Sequence, residues 1–475
     1  MEWNKLLCSA RRRMGHVSEK DTDNRTEFEK DYHRIIGSAS FRRLQDKTQV
    51  FPLDQSDFVR TRLTHSLEVS SFARSLGSNI GERILREGVD AGFHKQSKED
   101  MEHILLCAGL IHDLGNPPFG HFGEWTIRDW FKSRLPEKTF EGKAISALLG
   151  PARMADFCHF DGNAQALRLV TKLHFLVDAY GMNLTYALLN TIIKYPGSAM
   201  EINEASGRIQ EKKMGYFLAD KAIYEEIADA CGTQGMRHPL TYILEAADDI
   251  AYLTADVEDA FVKGKVSYKV LEERLQAFEA QAGGDALRLY TLLKTLEARG
   301  RKEMADPEMY AVKNLVIRLQ SYLIGEATEG FMGNYAKIMA GTFEKDLFSR
   351  PGACGVRKLL AQIARDCVFE TESIYRMEAT EHAILSQLME KFVDAVLLLD
   401  TPREEEMRPL EKRLVYFISD NYKKVYYSFS EGKDPSEKLY LRLLLVTDFV
   451  CGMTDSYAKR LYQELFAMPT WKGTV

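Results

Sequence analysis

The sequence predicts an all-α protein, and three observations carry that prediction. Only 13 of its 475 residues are proline, few helix breakers for the length. Apolar residues recur three and four positions apart over long stretches, the period of a buried helical face. No run of β-hairpin signals, tandem repeat or low-complexity tract interrupts that pattern.

Composition narrows the class. The chain is 45% hydrophobic and 28% charged, ordinary for a soluble globular protein with a large core and room for two subdomains. A net charge of −6 offers no general basic field for nucleic acid. Seven scattered cysteines without a CxxC pair read as reduced thiols, so a cytoplasmic location is expected. The first residues lack the apolar core of a signal peptide. No apolar run reaches the roughly 18 residues of a membrane span. Neither a GxGxxG nor a P-loop pattern is present, which argues against Rossmann and Walker nucleotide sites.

Residues 1–30 form a charged N-terminal arm with Arg11, Arg12 and Arg13. It reads as a solvated or ordered arm, or as a phosphate-binding or partner-binding one. Residues 31–52 read as a helix ending in a short extended segment through Gln49 to Val50-Phe51 before Pro52, since proline disfavours the α region just before it. Thr64 is the expected N-cap of the next helix. Val69, Phe72, Ala73, Leu76, Ile80 and Ile84 mark its buried face, and His65 lies on the same stripe. Arg62, just ahead of that helix, can grip phosphate in a bidentate way.

Residues 104–111 form an apolar helix that delivers His112-Asp113. The chain then breaks at Gly115 and Pro117-Pro118 and presents His121 and Glu124. Further helices are expected over 124–150, with a loop near Pro136, over 160–168, and over 184–195, stopped by Pro196. Lys194-Tyr195 and Lys212-Lys213 add cations and aromatics. Residues 239–262 form a helix on which Asp248, Tyr252 and Asp256 share one face at i, i+4 and i+8. Residues 263–345 are helical with a loop at Gly283-Gly284, residues 381–399 form an apolar helix, and residues 403–412 a charged linker. A last helical pair spans the segment around 441–458.

Adjacent residues on a helix point about 100° apart. His112 and Asp113 can therefore share an ion only if other elements meet them. Imidazole and carboxylate together suit Mn, Fe or Mg-type ions, whereas closed structural zinc sites usually use thiolate. A lone histidine on an apolar face is more often a core residue, but the His-Asp pair needs a further ligand, which makes His65 a candidate. Asp248 and Asp249 both qualify as the acidic ligand from the 239–262 helix.

The order His65, His112-Asp113, then a distant aspartate resembles the HD-domain metal hydrolases. Arg-Thr-Arg-Leu-Thr-His65-Ser-Leu, His112-Asp-Leu-Gly-Asn-Pro-Pro-Phe-Gly-His121, Phe160-Asp-Gly-Asn163-Ala-Gln, Ala247-Asp-Asp-Ile-Ala-Tyr252 and Gly452-Met-Thr-Asp455 closely resemble the bacterial dGTP triphosphohydrolases. These are grouped with the vertebrate HD-type dNTP hydrolases. The likeness runs from about residue 20 to 260 and returns over 441–458. It implies an HD catalytic core at 31–262 and a C-terminal helical region at 263–475 that comes back to the active site near 441–458.

The resemblance also implies roles. His65, His112, Asp113 and Asp248, the aspartate four residues before Tyr252, would hold one divalent ion, Mn²⁺, Mg²⁺ or Fe²⁺. Such an ion polarises a phosphoryl oxygen and acidifies bound water. His121 and Glu124 would sit over the α-phosphate, position the attacking water and move protons. Arg62, Lys194 and Lys213 would face the triphosphate with Tyr195 nearby, and Asn163 would contact phosphate or base. Tyr252 would stack under the sugar, and Gln49 and Asp256 would bond the 3′-hydroxyl, giving a deoxy preference. Asn116 stands where the vertebrate relatives carry a further histidine. The implied reaction is hydrolysis of dGTP, or other dNTPs, to nucleoside and tripolyphosphate, in a homo-oligomer (hexamer or tetramer). Single-stranded DNA or an activating nucleotide are further implied partners. A nucleoside 5′-monophosphatase and a nucleic-acid-binding regulatory protein are the alternative readings.

Overall fold

The computed structural model describes residues 1–13, 23–49, 60–174, 178–281 and 287–466. The expected extended stretch at 50–52 and the loop at Gly283-Gly284 lie outside them. The helices that matter for the site are α1 (Glu27–Ile36), α2 (Arg62–Glu87), α3 (Lys95–Ile111), α4 (Gly120–Ser133), α5 (Gly162–Arg168), α6 (Pro239–Val262), α7 (Pro307–Gly333), α8 (Pro351–Ala364), α9 (Glu372–Val396), α10 (Pro435–Cys451) and α11 (Asp455–Phe466). Among the described residues the one sheet is a two-stranded antiparallel ribbon, Thr139–Phe140 with Lys143–Ala144. The sequence reading did not anticipate this ribbon. Its turn, Glu141-Gly142, takes two positive φ values of 52° and 76°, as tight hairpins require, but without the usual Asn-Gly signature.

Helix α2 is the central post, packed along α3 and crossed by α6 and α7. It starts one turn earlier than expected. Thr61 is the N-cap, and Thr64 sits at the third helical position, where its hydroxyl closes a reciprocal capping box. The exchange of two threonines for one another is chemically silent in sequence. It makes Arg62 the first helical residue and buries it. Helices α2 and α3 approach very closely at Gly109, where a Cβ would lie 2.5 Å from the Ser70 Cα. The stripe His65, Val69, Ala73, Leu76, Ile80 and Ile84 is buried along this contact, while Phe72 is only partly buried against it.

Other boundaries also moved. The helix expected over 184–195 is confined to Tyr186–Thr191. The helix expected from 381 starts earlier, as α9. The charged linker at 403–412 contains a 3-10 turn and the start of the Pro409–Phe417 helix. Arg11 is an internal tie: it pairs with Glu27 and with the buried Asp31 of α1. No helix among the described residues is long and apolar enough to cross a membrane.

The turn after His112-Asp113 leans on α5. A Cβ at Gly115 would lie 2.1 Å from the Gly162 carbonyl oxygen and 2.2 Å from the Ala166 nitrogen. Both are backbone atoms, so neither can swing away. Gly115→Ala is therefore expected to cost about 2–3 kcal/mol, read as a lower urea midpoint; an unchanged midpoint would contradict this packing. Behind α5, Arg168 donates to both oxygens of Asp448 on α10 at 2.8 Å. Its other nitrogen reaches Asp220 at 3.3 Å, which also holds Lys172 at 2.6 Å. A buried charge network of this kind fixes α10 against the helix that carries Asn163.

Candidate active site

Three helices converge at the His-Asp pair and bring four side chains together. His65 enters from the first turn of α2, His112 and Asp113 from the end of α3, and Asp248 from the middle of α6. One ligand atom each from His65, His112 and Asp113 lies within 4.8 Å of the others. Asp248 Oδ1 is 3.2 Å from His65 Nε2 and 3.5 Å from His112 Nε2. Asp249, its neighbour, turns instead to Arg357 on α8 at 3.2 Å. Burial pushes the Asp249 carboxyl up to about 7 despite that arginine.

The cluster fits a divalent ion on its own geometry. Gly109's carbonyl lies 2.7 Å from His112 Nδ1 and so takes that nitrogen's proton in a hydrogen bond. This turns the Nε2 lone pair toward the cluster, where it is buried with no hydrogen-bond partner. Such an orphaned ring nitrogen among carboxylates is what an imidazole ligand presents. Outer contacts hold the carboxylates. Asn116 donates to Asp113 Oδ1 at 2.7 Å, Arg62 donates to Asp113 Oδ2, and Lys194 donates to Asp248 Oδ2 at 3.0 Å. Burial alone would raise both acids, but His112 and Arg62 hold Asp113 well below the usual carboxylate range. Lys194 and His112 do the same for Asp248. The acids in turn raise His112 against its burial. No thiol takes part: every cysteine is free, and none belongs to the cluster.

A second dyad adjoins the first. His121 Nδ1 lies 3.2 Å from Glu124 Oε2; the imidazole is 80% exposed while the carboxylate is buried. Hydrogen bonding to Glu124 raises His121 above its ordinary value. Burial works against the Glu124 anion, yet His121 and the Gly162 N–H, donating at 2.7 Å, bring it down to about 2. The two clusters are joined physically. A Cβ at Gly120 would meet Arg62 Nη2 at 2.4 Å, and one at Gly162 would meet Asn116 Oδ1 at 2.1 Å and Glu124 Oε1 at 2.6 Å. Arg62 thus lies against Asp113 on one side and Gly120, next to His121, on the other, while Asn116 and Glu124 both pack on Gly162.

The remaining sequence-derived residues are distributed around this pair of clusters. Lys213 holds Asp161 at 2.7 Å and acts electrostatically on both His121 and Glu124. Asn163 is half-buried and donates to Asp161 at 2.6 Å, so in this state its amide serves the α5 cap. Tyr195 is half-buried beside Lys194 and Lys213. Tyr252 is half-buried on the α6 face between Asp249 and Asp256. Asp256 is buried and pushed up to about 7 by that burial. Gln49 carries a side-chain oxygen that is buried and unpartnered.

Three residues near the site were not assigned from sequence. Asp161 anchors Lys213; its place in the Phe-Asp-Gly-Asn motif was the available signal. Lys47, 3% exposed, donates to the carbonyls of Asn116 at 2.5 Å and Cys451 at 2.7 Å, and nothing in its local sequence marks it. Arg60 pairs with Glu68, Glu258 and Asp259, locking the entry of α2 to α6.

Residues 62–179 match the HD domain, the segment that supplies His65, His112, Asp113, His121 and Glu124. The chain is 46% identical to a deoxyguanosinetriphosphate triphosphohydrolase-like protein of Listeria monocytogenes, over 98% of this chain and 99% of that one. It is 34% identical to a protein of the same description from Synechocystis sp., covering 98% and 99%. It is 32% identical to the deoxyguanosinetriphosphate triphosphohydrolase of Serratia proteamaculans, covering 95% of each. With the HD ligand cluster in place, this near full-length similarity shows that the chain belongs to the HD-domain deoxyguanosinetriphosphate triphosphohydrolase-like family.

Proposed function

We propose that the protein hydrolyses dGTP, with other dNTPs as further substrates, to the deoxynucleoside and tripolyphosphate. The observation that carries this reading is the two adjoining clusters: a two-imidazole, two-carboxylate group with an orphaned buried nitrogen, and a His121–Glu124 dyad beside it, with Arg62 between Asp113 and Gly120 and with Gly162 packed on both Asn116 and Glu124. His65, His112, Asp113 and Asp248 would hold a divalent ion, Mn²⁺, Mg²⁺ or Fe²⁺, which supplies Lewis acidity at the phosphoryl group.

The chain's own groups supply the rest. Phosphoryl transfer is mostly positioning and charge neutralisation, and Arg62, Lys194 and Lys213 are the cations for a triphosphate. Water attacks the α-phosphorus and the bond to the 5′ oxygen breaks. His121, whose protonated form Glu124 favours, gives its proton to the departing 5′ oxygen. Gln49 offers its unpartnered oxygen to the 3′-hydroxyl, with Asp256 as a second partner. Tyr252 packs against C2′, where a ribose hydroxyl would collide. Tyr252→Ala should therefore raise activity on GTP relative to dGTP by at least about tenfold; an unchanged ratio of kcat/KM values would remove Tyr252 from this role.

The test of the reaction is a product assay with Mn²⁺ or Mg²⁺ and each dNTP, singly and mixed. Deoxyguanosine with tripolyphosphate supports the reading, and dependence on mixtures identifies an activating nucleotide. Monophosphate with pyrophosphate, or phosphate released only from dGMP, overturns it. Homo-oligomerisation and single-stranded DNA binding are carried as part of the same proposal and are checked by light scattering and a salt series.

A further inference from the structure

The residues assigned to the 3′-hydroxyl and to the α-phosphate, Gln49 and His121, lie on two segments far apart in sequence. Both segments close on one carboxylate. Asp455, at the first position of α11, is 1% exposed. Its Oδ2 accepts from the Thr48 N–H at 2.9 Å and from the Thr48 hydroxyl at 2.6 Å. Its Oδ1 accepts from the Phe119 N–H at 3.0 Å. Thr48 immediately precedes Gln49. Phe119 is the N-cap of α4, two residues before His121, and takes a left-handed φ of 63°. A bulky residue there is strained and persists only where its surroundings hold it.

The neighbouring contacts sharpen the point. Arg62 N–H donates to the Lys47 carbonyl at 2.9 Å, and Thr48 bridges Thr61. Lys47 bonds Asn116, three residues ahead of Phe119. The backbone of residues 47–48 is thus pinned to the start of α2 and to the His-Asp turn, and Asp455 is the group that bonds both Thr48 and the strained Phe119. Around it stand Lys47, and Glu381 of α9, whose carboxyl is buried with one oxygen unpartnered.

We propose that Asp455 is a positioning residue: through Thr48 and Phe119 it sets the spacing between Gln49 on the 3′-hydroxyl and His121 on the α-phosphate. The proposal rests on the function proposed above. A carboxylate is needed because three donors converge on it; an amide of the same shape would turn an N–H toward one of them.

The experiment compares wild type, Asp455→Asn, Thr48→Val and Thr48→Ser with Mn²⁺, using dGTP and 2′,3′-dideoxy-GTP, with Mn²⁺ affinity measured alongside. Asp455→Asn should lower kcat on dGTP about 10- to 100-fold and shrink the preference for dGTP over the dideoxy substrate, with Mn²⁺ affinity unchanged. Thr48→Val, which removes one of the three bonds, should lose the same preference with a smaller fall in kcat, and Thr48→Ser should restore it. If Asp455→Asn does not fold, the threonine pair carries the test. Folded Asp455→Asn and Thr48→Val proteins with wild-type kcat and preference overturn the proposal alone. Equal losses on both substrates also overturn it, because that is what general loosening gives. A wild-type chain that releases no tripolyphosphate from any dNTP overturns the parent reading and this proposal together.

Discussion

Asp113→Asn and His65→Ala are expected to lower turnover at least about 10³-fold and to remove tight Mn²⁺ binding. His65→Ala takes one donor, and Asp113→Asn replaces an anionic donor with a neutral amide, in a cluster whose atoms already lie within 4.8 Å of one another, and metal affinity falls steeply when a ligand is lost or loses its charge. Asp113→Asn is preferable to alanine. Arg62 is 3% exposed and rests on Asp113, so alanine would leave a buried guanidinium without its partner, a defect worth about 3–5 kcal/mol. Ion titration of the folded variants is the deciding measurement. A variant with wild-type helix content that still binds one ion tightly and turns over would remove its residue from the ligand set.

The second large effect belongs to the dyad. Glu124→Gln keeps an acceptor for the Gly162 N–H but removes the anion that raises His121. We expect kcat to fall about 10²- to 10³-fold with Mn²⁺ affinity retained. The pH profile should move as well. In the proposed mechanism His121 acts in its protonated form, so activity should decline as pH rises through its raised pKa. Without Glu124 that alkaline limb should shift down toward the ordinary histidine value of about 6.5. An alkaline limb that stays in place in Glu124→Gln would show that His121 is not the proton donor. His121→Asn should match the loss in kcat and abolish the limb.

The sequence made the fold class legible because helical periodicity is local: α6 begins and ends where its pattern does, at Pro239–Val262. Helix boundaries were less legible, as the short Tyr186–Thr191 helix and the early start of α9 show, because helix ends depend less on pattern than helix interiors do. The approach of His112 to Asp248 could be expected from chemistry, since the His-Asp pair needs partners. The outer contacts could not. Lys47, Asp161 and Asp455 act through partners 52 to 407 positions away, as in Lys213–Asp161 and Thr48–Asp455, and no local spacing encodes such a pairing. Thr61 and Thr64 could not be told apart as caps because either side chain can perform the task.

Thr48 and Asp455 are separated by 407 positions, and this has a consequence for biosynthesis. Domains generally begin to fold from the N-terminal side while translation is still under way, and α2 and α3, close in sequence, can pair early. The clamp on Thr48 and Phe119 cannot close until residue 455 has left the ribosome. A nascent chain can therefore own every proposed ion ligand, all of which precede residue 249, and still lack the ordered cleft proposed for the nucleotide. Assembly of the ion site and onset of turnover become separate events in time, so a ribosome-bound chain stalled before residue 455 should capture Mn²⁺ without consuming dNTPs.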